Sequence, residues 1–252
     1  MQSVAGDANP ESSEPDQVSS KWSILLGAGA VNEPRYPGSR NDFTRGLPFV
    51  GISYDRYFLG AAPGSDAPGG IGAYLIRTEH WAVGVDISAD ARKPRRESDA
   101  PILRGWGNIP AIARGGMFAN YNLDWLSIES SVSDGGHKEG VTASLSAEAK
   151  YHATPKLTLA IGPEVTWVSS QYAMTFFGID AAQSEIAGTA PYRAKGGINL
   201  VGGKASARYA LTDHWSLSAF ASVGALQGDA ANSPVTSDKH QREYGAIVRY
   251  RF

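Results

Sequence analysis

From Trp22 onward, apolar side chains recur at every second position through segment after segment of the chain. In "WAVGVDIS", Trp81, Val83, Val85 and Ile87 share one face, against Ala82, Gly84, Asp86 and Ser88 on the other. "VTASLSAEAKY" sets Val141, Ala143, Leu145, Ala147, Ala149 and Tyr151 against Thr142, Ser144, Ser146, Glu148 and Lys150. Successive side chains of a strand point to opposite faces, so each segment reads as a strand with one apolar and one small or polar face. About twelve such segments follow one another: 22–31, 46–55, 56–62, 70–77, 80–89, 108–119, 121–132, 139–151, 156–168, 196–210, 213–226 and 242–252. No segment carries a helical period, so the class is all-β.

The connections alternate in length. Tight ones fall at Asp55–Arg56, Thr78–His80, Asn120–Asn122, His152–Pro155 and Leu211–Asp213, and long ones at 32–45, 62–69, 90–107, 133–138, 169–195 and 227–241. Short turns on one rim and long loops on the other characterise outer-membrane barrels. The expected fold is therefore an antiparallel transmembrane β-barrel of about 12 strands, with short periplasmic turns and long extracellular loops. "TEHW" at Thr78–Trp81 and "TDHW" at Thr212–Trp215 both fall at tight turns, each Trp opening the next strand. The repetition reads as two equivalent places on one rim, with Trp at the lipid–water boundary.

The outward face then supplies an aromatic girdle of Trp22, Tyr54, Trp81, Tyr151, Trp215, Tyr250 and Phe252. The inward face receives Asp86, Arg114, Glu129, Glu148 and Lys150, and further along Glu164, Lys204, Arg208, Arg249 and Arg251. Charges are expensive on the lipid face and tolerable in a wet or ion-paired lumen. The mixed signs predict ion pairs inside the barrel.

Composition changes this picture little. A formal net charge of -2 gives no electrostatic reason to expect a nucleic-acid partner. Mean hydropathy of -0.25 would suggest a soluble chain, but strands that alternate hide from such averages. The absence of cysteine suits an oxidising compartment such as the periplasm. Residues 1–20 have neither the basic start nor the apolar stretch of a signal peptide. They read as a mature or engineered start, a disordered tail before a barrel over residues 21–252.

Several stretches resemble the MltA-interacting protein family, also called MipA/OmpV. "GAGAVNEPRYPGSRND" (Gly27–Asp42) matches its glycine-rich first strand followed by a Tyr-x-Gly-Ser turn. "FFGID" with "AAQS" (Phe176–Ser184), "PYRAKGGI" (Pro191–Ile198) and "LQGDAANSPVT" (Leu226–Thr236) follow in the family's order, and Phe252 fits its terminal phenylalanine. The resemblance implies a non-enzymatic protein of the Gram-negative outer membrane. Its namesake role is a scaffold that joins a lytic transglycosylase to a murein synthase. Other members are described as porin-like or adhesive, and the family carries over no catalytic residues.

The residues themselves point to no catalytic, cofactor or metal site: phosphate loops, zinc spacings and EF-hand loops are missing. His80, His152 and His214 belong to the tight-turn rim, while His137 near Asp134 and His240 near Asp238 fall in long loops. The basic run "ARKPRRESDAP" offers Arg92, Lys93, Arg95 and Arg96 as contacts for lipopolysaccharide phosphates. A solvated loop is the plainer reading of the same run. The segment 169–195 is long for a structureless loop, and Tyr172, Met174, Phe176 and Phe177 are too apolar for a free tip. It is expected to fold inward or over the mouth and constrict the lumen. Functionally, an interaction scaffold for envelope and murein enzymes leads, with a small-solute channel and a loop-based surface adhesin as alternatives.

Overall fold

The computed structural model describes residues 22–60, 70–89 and 94–252. The tail over 1–20, and Arg92 and Lys93 of the basic run, lie outside the described residues. Twelve antiparallel strands pair in sequence order and close into a barrel where the last meets the first. They are β1 (Trp22–Pro34), β2 (Asp42–Tyr54), β3 (Tyr57–Gly60), β4 (Gly70–Arg77), β5 (Trp81–Ala89) and β6 (Ala113–Asn122). The second half comprises β7 (Leu126–Asp134), β8 (Val141–Thr154), β9 (Leu157–Val168), β10 (Gly197–Ala210), β11 (Trp215–Leu226) and β12 (His240–Arg251). Among the described residues four short α-helices, α1 (Gly136–Glu139), α2 (Ser170–Phe177), α3 (Ala181–Ala187) and α4 (Gly228–Asn232), all lie in long connections.

Alternation places the apolar side chains outside. Ile71, Ile87, Ile161 and Val223 are each more than 60% exposed, an arrangement untenable in water and natural against lipid. No helix among the described residues is long and apolar enough to cross a membrane. The strands make the crossing, since a closed barrel satisfies every ladder without leaving an edge.

The repeated TxHW phrase has a repeated geometry. The Thr78 and Thr212 hydroxyls accept hydrogen bonds from the Trp81 and Trp215 amides at 2.9 and 3.0 Å. The Nδ1–H groups of His80 and His214 donate to the carbonyls of Asn122 and Arg251, which end the neighbouring strands, at 3.0 and 2.9 Å. Each Trp ring then packs on a cross-strand tyrosine, Trp81 on Tyr121 at 4.8 Å and Trp215 on Tyr250 at 5.0 Å between centroids. Trp22 and Tyr54 form a third such pair at 4.6 Å. Both phrases thus lock a turn, tie it to the next strand and anchor an aromatic ring.

Several boundaries differ from expectation. The turn expected at Asn120–Asn122 lies instead between Asn122 and Leu126, because β6 runs on through both asparagines. Asn120 is buried, and Asn122 accepts a hydrogen bond from Lys150 Nζ at 3.2 Å, so both serve as polar groups of the lumen. The first long loop shrinks because β1 and β2 continue to Pro34 and Asp42, held by an Arg45–Glu33 ion pair at 3.0 Å. Residues 108–112 are not strand, and Ile109 belongs to the covering of the mouth described below.

Candidate functional site

The interior of the barrel has two unlike walls. Inward positions on β7 and β8 carry hydroxyls that bond across the strands, Ser131 with Ser144 at 2.7 Å and Ser133 with Thr142 at 2.8 Å. At mid-height, Lys204 Nζ of β10 donates to Glu129 Oε2 of β7 at 3.0 Å and stands 3.7 Å from Glu148 Oε1 of β8. To do so its side chain passes over Gly162 of β9, the residue directly opposite Lys204. On the other wall Phe58, Tyr74 and Phe118 are buried together inside the barrel, with ring centroids 5.1 to 5.9 Å apart. The Phe58 and Phe118 rings occupy the space that β-carbons at Gly72 and Gly84 would fill. Inward apolar residues are therefore accommodated by inward glycines, an exception to strict apolar-out alternation.

Each charge read as inward can be placed. Glu129, Glu148, Lys150, Arg208, Arg249 and Arg251 border one cavity of about 1000 Å³ that reaches the short-turn rim at Asp124 and His152. Arg114 and Glu164 border a second, of about 470 Å³, nearer the long loops. Asp86 shares the inward side of β5 with Gly84, and its carboxylate lies against Gly116 of β6. Glu33, Arg45, Arg77 and Glu243 also line these cavities and were not read from the sequence. The first two lay in an assumed loop. Arg77 faces inward because a register shift between Tyr74 and Ile76 reverses the alternation, as a bulge does. Arg114 is bound to Glu139 of α1, buried at 1% exposure, with Nε to Oε2 at 2.8 Å.

Over the upper cavity the long loops build a packed cap. Ser169 accepts from the Tyr172 amide to start α2, and Tyr172 stacks on Phe176 one turn later at 4.2 Å. The buried face of α2, Ala173, Phe176 and Phe177, packs with Ala194 of its own connection, with Ile109 and Ala230 from two others, and with Leu226 at the end of β11. A second cluster joins Tyr36, Leu103, Trp106, Ile179 and Val235 from four loops. Asp180 and Gln183 form a reciprocal capping box at the start of α3, which ends at Gly188 in the left-handed region, φ 65°. Tyr172 and Phe176 form the ceiling of the 470 Å³ cavity, Phe177 is fully buried, and Met174 lies half-buried beside Gly178.

Arg95 was read as an exposed contact for lipopolysaccharide, and its position corrects that reading. It is 2% exposed inside the cap, donating to the Phe176 carbonyl at 3.0 Å and the Trp106 carbonyl at 3.4 Å. Its backbone carbonyl accepts from Ile109. Burial pushes the guanidinium down to about 10, so it stays charged at neutral pH. A planar fork bridging carbonyls of two loops is a tie that lysine could not reproduce. Arg96, its neighbour, is exposed. Arg95→Ala should leave those carbonyls without their donor at about 1–3 kcal/mol each. Hydrogen exchange over 94–109 and 170–178 should accelerate, whereas unchanged protection would remove Arg95 from the support of the cap.

The histidines assemble no catalytic group among the described residues. His152 meets Asp124 at 3.0 Å on the short-turn rim. His240 meets Asp238 at 3.3 Å at the opposite end, where the His240 amide holds that carboxyl below the usual range.

The family model described as MltA-interacting protein MipA matches residues 26–252. Among solved structures, an outer membrane channel from Pseudomonas putida is similar over 98% of this chain and 100% of its own, at a TM-score of 0.50 and 14% identity. The NanC porin covers 91% of this chain and 98% of its own at 0.42 and 8%, and the KdgM porin 91% and 99% at 0.41 and 10%. At such identities the likeness is one of fold, and the first of them carries it: an outer-membrane barrel. No curated protein matches the chain.

Proposed function

The chain belongs to the MltA-interacting protein family, and we propose that it is a non-enzymatic outer-membrane scaffold, its short-turn periplasmic rim docking a lytic transglycosylase and a murein synthase. The observation that carries this reading is the cap. Phe177, Leu103 and Val235, from three different connections, are each fully buried at the long-loop end. A mouth roofed by such a core suits a barrel whose working surface is the other rim. That rim is rigidly built, with turns tied to neighbouring strands through His80, His152 and His214. Rigid presentation favours docking because little order is lost on binding. Outer-membrane lipids surround the girdle, and within the basic run Arg96 is exposed and available to lipopolysaccharide.

Photo-crosslinkers placed in living cells at Glu79, Asp124, Lys156 and Asp213 on the rim test the proposal. Capture of the transglycosylase or the synthase, dependent on the probe, is the expected result. Clean probes in a correctly assembled barrel would sink the scaffold role. A small-solute channel is the second reading, favoured by the 1000 Å³ of lumen below the cap. It requires the cap to open, and its signature is stepwise conductance of the unmodified protein in planar bilayers.

A further inference from the structure

The charges of the lumen are sorted along the barrel axis. Above the Lys204 network, toward the cap, inward positions carry Glu33, Asp86, Glu164 and Glu243, while the cations there, Arg45 and Arg114, engage Glu33 and Glu139. Below the network, toward the short turns, the described inward strand positions carry Arg77, Lys150, Arg208, Arg249 and Arg251 and no carboxylate. Glu129 and Glu148, which border the same cavity from the level of the network, are engaged by Lys204, and on the rim Asp124, its side chain 86% exposed, engages His152.

These five cations come from β4, β8, β10 and β12 and border the same cavity of about 1000 Å³. Neighbouring residues hold several of them inward. The Arg77 guanidinium lies 4.9 Å over the Tyr74 ring, Lys150 donates to Asn122 and Leu123, and the Arg249 stem runs over Gly27. Between them stand Ser206, Ser216 and Thr158, hydroxyls able to donate to an oxygen anion. A cluster of one sign inside a wall that faces lipid focuses its field along the opening, because little solvent lies outside to screen it. Guanidinium forks suit carboxylate and phosphate oxygens, which they bind bidentately.

We propose that this lower vestibule is an anion-binding site entered from the short-turn rim, selective for small multivalent oxyanions bearing carboxylates or phosphates. The site is independent of whether the rim also docks murein enzymes. The full chain in detergent, titrated calorimetrically with citrate and with pyrophosphate, gives the test; which of the two binds more tightly separates a carboxylate from a phosphate ligand. Binding should weaken steeply with added chloride. Arg208→Gln and Lys150→Gln, on different strands, should each weaken binding at least tenfold, while Arg114→Gln, which borders only the upper cavity, should change it less than twofold. Heat-modifiable migration on gels selects the variants that have folded. The proposal is overturned if the unmodified protein binds neither anion, or if Arg114→Gln weakens binding as much as the lower variants do.

Discussion

A Phe177→Ala barrel should pass ions in a planar bilayer where the unmodified barrel stays closed. The Phe177 side chain is fully buried in the cap, and its backbone carbonyl accepts the Ser233 hydroxyl at 2.6 Å, a bond that alanine keeps. The substitution therefore removes packing alone. Deleting a buried phenylalanine ring costs about 3–5 kcal/mol, through lost transfer energy and the cavity left behind. The strand ladders below do not share that loss, so it falls on the cap. A cap assembled from short helices and loops has little stability of its own to absorb it. Bilayer conductance and protease cleavage within 169–196 should rise together. Faster cleavage with unchanged conductance would mean that the cap is not what seals the lumen.

Gly162→Ala should fail to assemble. Gly162 faces inward on β9, and the flanking pairs Ser146–Glu164 and Ala149–Ile161 place it level with Glu148. A β-carbon built there overlaps the Ala147 carbonyl oxygen and comes within 2.8 Å of the Glu148 Cα. Both obstacles are backbone, so no side chain can swing aside. Pro163 follows and has no amide to give the ladder, which leaves β8 and β9 less able to spread and re-form around the intrusion. Overpacking of this kind costs about 1–3 kcal/mol or more, here with the loss of the Lys204–Glu148 approach across the same residue. The heat-modifiable band should disappear, or the urea midpoint should fall sharply. Wild-type migration and an unchanged midpoint would show that the two strands part without cost.

How much of this was legible can be judged residue by residue. The Trp81 and Trp215 anchors followed from a repeated phrase at two turns, and the terminal strand ending in Phe252 followed from its alternation. Tyr121 was missed as a girdle residue because it sat in an assumed turn; only pairing with Trp81 reveals its place. The cap was invisible as structure. An eight-residue α2 and a seven-residue α3 are too short for a helical period to rise above chance, and their buried faces are defined by loops distant in the chain. Apolar content alone marked 169–195 as more than a free loop. Arg95 and Arg96 are indistinguishable in a basic run, and what separates them is the pair of carbonyls that meet Arg95, Trp106 from its own connection and Phe176 from another.

The sequence by itself determined the barrel: period-two alternation assigns strands and faces locally, and the alternation of short and long connections orders them into a closed sheet with two unlike rims. Tertiary structure alone decided what stands inside and above it. The closing of twelve strands brings Glu129 to Lys204, glycines make room for Phe58 and Phe118, and a register shift turns Arg77 inward. Those outcomes depend on distances across the lumen and between loops, and a pattern that is read along one strand holds no information about what faces it from the other side.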